Sequence, residues 1–198
     1  MGWDIFKTRR FTQGYLEGRR IRRADDVADK IRAQSGLADQ EIERLLAEDG
    51  VALEMIDAAL DVAQRTEDEG KRRLLAVVAA RALLGVPLEQ ADHWRTLMRT
   101  VAEIETVDVH LLACLRRGEE AMKGPIRAEG VKGWRGDTVL VEPSIAALQR
   151  AGLVAAVGID GGGASSGGQA MYGTSRYGRV FLDFLLADDD SAHYFEPS

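Results

Sequence analysis

The sequence predicts a mainly α fold, a helical bundle followed by an end with one β-hairpin. Three observations carry this. From residue 24 to about 123, apolar side chains recur three and four positions apart, the period of amphipathic helices. Ser35-Gly36, Asp49-Gly50, Gly85 with Pro87, and Gly124-Pro125 cut that stretch into segments of helix length. Beyond Pro125 glycine becomes frequent, and a β-prone run at 153–159 leads into GIDGGGASSGG, six glycines in eleven residues.

The first segment, 1–23, reads as a basic arm. It holds seven cations (Lys7, Arg9, Arg10, Arg19, Arg20, Arg22, Arg23) and two acids (Asp4, Glu17). That makes a local +5 in a chain of net charge −6, so the rest carries −11. Trp3, Ile5, Phe6, Phe11, Tyr15, Leu16 and Ile21 interleave with these charges, which argues against a wholly disordered tail. Such an arm can pair with the acidic body. It can also meet nucleic acid, an anionic membrane surface or an acidic partner.

The bundle is expected over 24–124. A short helix is predicted at 25–34. Asp39 is the expected N-cap of QEIERLLAE, which Asp49-Gly50 closes. Next, Ala52, Met55, Ile56, Ala59, Leu60 and Ala63 form one apolar stripe. Thr66 and Glu69 have the capping-box spacing, with Glu67, Asp68 and Glu69 suited to the positive end of the helix dipole. The run LLAVVAARALL that follows is apolar nearly all round, as in a helix at the centre of a bundle, with Leu74, Leu75, Val78, Leu83 and Leu84 expected in the core. Trp94, Leu97, Met98, Val101 and Ile104 define the inner face of a helix within 88–105. Asp108 is the expected cap of the next helix, with Leu111, Leu112, Leu115 and Met122 inward. At 144–152, SIAALQRAG reads as a short helix behind Pro143, with Ile145, Leu148 and Leu153 on its inner edge. Residues 170–172 return as the partner of the 153–159 strand, and 177–187 form a last helix around Phe181, Leu182, Phe184 and Leu185. Residues 188–198 are a tail.

The order of these last elements resembles the second half of a winged helix-turn-helix domain over about 140–187. In that family a helix feeds a β-hairpin, the wing, and the chain resumes as a Tyr-x-Leu-Thr-x-x-Gly-x-x-Phe-Leu stretch. The corresponding residues are Tyr172, Gly173, Thr174, Gly178, Phe181 and Leu182, with Gly173 where the family favours leucine. The resemblance implies a winged-helix-like region over 125–187, with the 144–152 helix in the recognition-helix place. The whole layout is also similar to that of uncharacterised, phage-defence-associated bacterial proteins of the Abi-alpha type. Residues 66–76 match their capped acidic turn and basic helix start, and 92–115 match the following bundle helices. This second resemblance implies no activity.

The residues exclude several chemistries and leave few candidates. A single cysteine, Cys114, rules out an intrachain disulfide and a Cys-based zinc cluster and fits a reducing compartment. No apolar run approaches the ~20 residues that span a bilayer, since 74–86 is broken by Arg81, and no signal-peptide core follows the N-terminal cations. A cytoplasmic protein is expected. The glycine-rich loop lacks the lysine of a phosphate-binding loop and joins two strands, so it reads as a hairpin tip. His110 and Cys114 lie four apart, but two ligands do not make a metal site. No catalytic, cofactor or metal residue is assigned, and no cofactor is expected. The candidate contacts to nucleic acid or an anionic surface are Arg9, Arg10, Arg19, Arg20, Arg22, Arg23, Lys132, Arg135, Gln149 and Arg150. The recognition-place helix is poorly equipped for DNA, with Glu142 and three alanines beside Ser144, Gln149 and Arg150, and the wing tip has no cation. The expectation is therefore a non-enzymatic binding protein. Its helical body and winged-helix-like module would serve self-association or contact with a partner protein. The alternative is a DNA-binding regulator using the basic arm and the winged helix.

Overall fold

A computed structural model of the chain describes residues 14–85, 91–127, 131, 134, 140–157 and 170–186. Among them are eight helices and three short strands: α1 (Gly14–Ser35), α2 (Asp39–Glu48), α3 (Gly50–Ala63), α4 (Glu69–Leu83), α5 (Ala91–Glu103), α6 (Thr106–Met122), β1 (Ile126–Arg127), α7 (Val141–Arg150), β2 (Val154–Val157), β3 (Met171–Thr174) and α8 (Arg176–Leu186). The fold is mainly helical with a small antiparallel sheet near its C-terminal end, as the sequence predicts. The chain forms two compact units, Met1–Glu103 and Ile104–Ser198.

In the first unit α4 is the centre, packed against α1, α3 and α5. Leu74, Leu75, Ala76, Val78, Ala79, Ala80, Ala82 and Leu83 are all buried, so three helices can approach it from different sides. Each large side chain among them contributes about 1.5–3 kcal/mol by leaving water. Leu84 departs from the expectation and is 46% exposed. It lies seven residues after half-buried Val77 and three after half-buried Arg81, on the less covered side of the helix. The six-residue stripe on α3 is buried in full. Trp94, Leu97, Met98 and Val101 on α5 are buried as well, and so is Ile104, which belongs to the second unit.

In the first unit three helix starts differ from the sequence expectation. α1 begins at Gly14 rather than near Asp25, so Arg19, Arg20, Arg22 and Arg23 are helical. Arg23 donates to the Gln64 carbonyl at 3.4 Å and pairs with Glu67, while Asp26 pairs with Arg72 at 2.8 Å and with Lys30. These ties, with buried Val27, Ala28 and Ile31, fix α1 against α3 and α4. Ala38, not Asp39, occupies the N-cap of α2, and the Asp39 carboxylate faces Arg32 at 2.9 Å. At α4 the cap is Asp68, whose carboxylate accepts from Lys71 N–H at 3.2 Å, and Thr66 Oγ1 only accepts from Asp68 N–H. Asp49 ends α2 and starts α3, accepting from Val51 and Ala52 N–H at 2.8 and 3.2 Å.

In the second unit α6 packs against α7, α8, β1 and β3, with Leu111, Leu112 and Leu115 buried. The Asp108 carboxylate reaches back to Glu105 N–H at 2.9 Å, half of a capping box, so α6 starts two residues before the expected cap. Met122, expected inward, is 74% exposed at the last position of the helix. Lys123 then turns into the left-handed region at φ 54° and directs the chain into β1. The sheet has the order β1-β3-β2, all antiparallel. The predicted hairpin is β2 with β3, in the register Val154↔Thr174, Ala155↔Gly173, Ala156↔Tyr172 and Val157↔Met171. β1 adds a third strand, pairing Ile126 with Tyr172.

A tight junction joins α7 to α8. Gly152 adopts φ +73°, and Leu153 N–H closes onto the Leu148 carbonyl at 2.9 Å. Ser175 Oγ donates to the Gly152 carbonyl at 2.6 Å and accepts from Gly178 N–H at 2.9 Å, capping α8. Phe181, Leu182 and Leu185 are buried, and Phe184 is half-buried. Among the described residues no helix is long and apolar enough to cross a membrane.

Candidate functional site

The second unit carries an open cleft of about 570 Å³ between the end of α6, the β2–β3 ribbon and the start of α8. Alternation along β2 puts Ala155 and Val157 on the same side, facing it, with Gly173 across on β3 and Pro125 at the edge. The polar lining comes from Arg116, Glu119, Glu120, Lys123 and Arg179.

Glu119 organises the floor. Its Oε1 accepts from Thr174 N–H at 2.8 Å, satisfying a donor at the end of β3. This needs a glycine opposite, because a Cβ on Gly173 would lie 2.7 Å from that oxygen. The leucine favoured by the winged-helix pattern at this position is therefore incompatible with Glu119 in this place. Arg116 donates to Asp183 at 2.5 Å and to Glu120 at 3.2 Å, linking α6 to α8. The hydrogen bond to Asp183 is the main reason its guanidinium is pushed above its ordinary pKa, against the opposing effect of burial. The exposed cations Lys123 and Arg179 flank the cleft on different elements.

The expected contact residues are scattered. Arg9, Arg10, Lys132 and Arg135 lie outside the described residues, as does the wing tip. Arg19, Arg20 and Arg22 are exposed on α1, in the first unit, while Arg23 is committed to Gln64 and Glu67. Gln149 and Arg150 are exposed at the end of α7, in the second unit. Cys114 is buried, with its Sγ 3.8 Å from His110 Nε2 and accepting from Arg117 at 3.2 Å. Among the described residues no group of three or more His, Cys, Asp or Glu is placed to hold a metal ion.

Sequence reasoning missed Glu119, Lys123, Val157 and Arg179 as parts of one surface. It placed Val157 in a predicted strand and noted the unusual glycine at 173, without joining either to the end of α6. The cleft can hold apolar and peptide groups between charges of both signs. No protein-family model, no curated protein and no solved structure matches the chain.

Proposed function

We propose that the protein is a non-enzymatic, cytoplasmic binding protein whose second unit contacts another polypeptide, either a second copy or a partner. The observation that carries this reading is the cleft itself, with exposed Ala155 and Val157 on its apolar wall and Lys123 and Arg179 at its rim. Open, mixed surfaces of this kind suit peptide and protein contact better than a small reacting molecule, which is usually enclosed. The test is amine-directed cross-linking in cell extract, read by mass spectrometry at Lys123. Cross-links to another chain are expected, and they should disappear in Val157→Glu. If Lys123 cross-links only within its own chain, the reading fails.

A second reading, a DNA-binding regulator with a winged-helix-like module, is favoured by one observation. Arg19, Arg20 and Arg22 stand exposed along α1. It predicts binding to a random duplex that weakens steeply with salt. Replacing these three by Gln should flatten the log–log salt slope by about 3, at roughly 0.9 per phosphate contact. Arg23 is left unchanged, because its ties to Gln64 and Glu67 would mix binding with stability. Absence of any shift at low salt removes this reading.

A further inference from the structure

Among the described residues β2 is an edge strand, with β3 on one side and no strand on its outer side. Natural edges are usually protected by charge, proline, a bulge or a covering element, because their free N–H and C=O groups recruit other strands. β2 is Val-Ala-Ala-Val, with none of these in its sequence, and Ala155, Ala156 and Val157 are all exposed. The opposite edge, β1, has exposed Arg127 and is only two residues long.

We propose that β2 pairs antiparallel with β2 of a second copy, about a two-fold axis through Ala156, joining two three-stranded sheets into one of six. This rests on the protein-binding reading above and identifies its partner. The register follows from geometry. A two-fold axis between antiparallel edges stands perpendicular to the sheet, so each residue pairs with one on its own face and the paired numbers sum to an even value. Centring on Ala156 sets Ala155 opposite the partner's Val157 and uses the whole exposed run. Buried Val154 then keeps its contacts.

The charges favour a second copy over a strongly charged peptide. A cleft lined by one sign would repel its own copy across the axis, whereas this one mixes Arg116, Lys123 and Arg179 with Glu119 and Glu120. The two clefts would open on the same face of the joined sheet, with Val157 of each copy beside Ala155 of the other. Strand pairing alone buries less than the roughly 1,200 Å² of a stable interface. Val157, 41% exposed, adds apolar side-chain area on β2 itself.

Cysteine pairing tests both partner and register. Directly opposed antiparallel residues have Cα atoms about 4.5–5.5 Å apart, within disulfide range, and the native Cys114 is buried. Oxidised Ala156→Cys should run mainly as a covalent dimer. Ala155→Cys and Val157→Cys should link poorly alone and well when mixed. Self-linking at Ala155 instead of Ala156, or at neither, overturns the proposal. Light scattering on the full chain gives a second, independent readout, in which Ala156→Lys should weaken the dimer at least tenfold with an unchanged circular dichroism spectrum. A dimer indifferent to Ala156→Lys overturns β2 pairing but leaves the protein-binding reading standing. A chain that stays monomeric while Lys123 still cross-links to another protein does the same.

Discussion

Gly178 has no room for a side chain, since a Cβ there would sit 2.1 Å from the Leu153 carbonyl oxygen. That oxygen already accepts from Ser175 N–H, so it cannot retreat without opening the α7–α8 junction. Gly178→Ala should therefore lower stability by about 3 kcal/mol, the upper end for overpacking, seen as an earlier urea midpoint. Gly173 differs in kind, because its Cβ would meet only the end of the flexible Glu119 side chain. Gly173→Ala is expected to push Glu119 aside and leave Thr174 N–H unsatisfied, at about 1–3 kcal/mol. Glu119→Ala should cause the same loss. The double variant should then be little worse than either single one, because both remove one hydrogen bond. Additive losses in denaturant titrations would refute that shared cause.

At the scale of elements, the caps and ion pairs decide where helices begin. Asp68→Ala should destabilise by about 1 kcal/mol and Thr66→Ala by less, because the carboxylate of Asp68 accepts from the first turn of α4 and the hydroxyl of Thr66 does not. Asp26, between α1 and α4, gives a pH signature. Burial alone raises its carboxyl, but hydrogen bonds from Lys30 and Arg72 outweigh this and hold it below its ordinary value of 3.8. Its folded pKa is depressed, so its contribution is present above pH 3.8 and is lost as pH falls through the lower, folded value. Asp26→Asn should lose stability at neutral pH and flatten the acid limb of the thermal midpoint against pH.

Periodicity read the interiors of these helices well, because burial on one face is a repeated constraint. The α3 stripe is buried at all six expected positions. Ends are weaker signals. The segment Thr66-Glu67-Asp68-Glu69 offers two oxygens two residues apart, and the start of α4 settles on the second. Leu84 and Met122 continue an apolar pattern past the point where neighbours cover it. β1 is too short for any period to show, and only its pairing with Tyr172 and Met171 defines it. The cleft was the least legible feature, because its lining comes from three separate stretches and depends on contacts such as Glu119 with Thr174.

For the whole molecule, the net charge of −6 opposes association between copies. Between about 0.01 and 0.15 M salt the screening length contracts from about 30 Å to about 8 Å. Dimerisation through β2 should tighten over that range in sedimentation measurements, whereas binding to DNA should weaken, so one titration separates the two readings by sign. Cys114 offers a way to time the breathing of the second unit without any label. It is the chain's sole thiol and is 1% exposed, enclosed in α6 beside Leu111 and Leu115. A thiol reagent can reach it only when that helix opens, so the reaction rate counts openings. The native chain should react slowly at a rate that climbs with denaturant, whereas the same chain fully unfolded in denaturant should react at once. The ratio of the two rates would measure how often the core beneath the cleft comes apart.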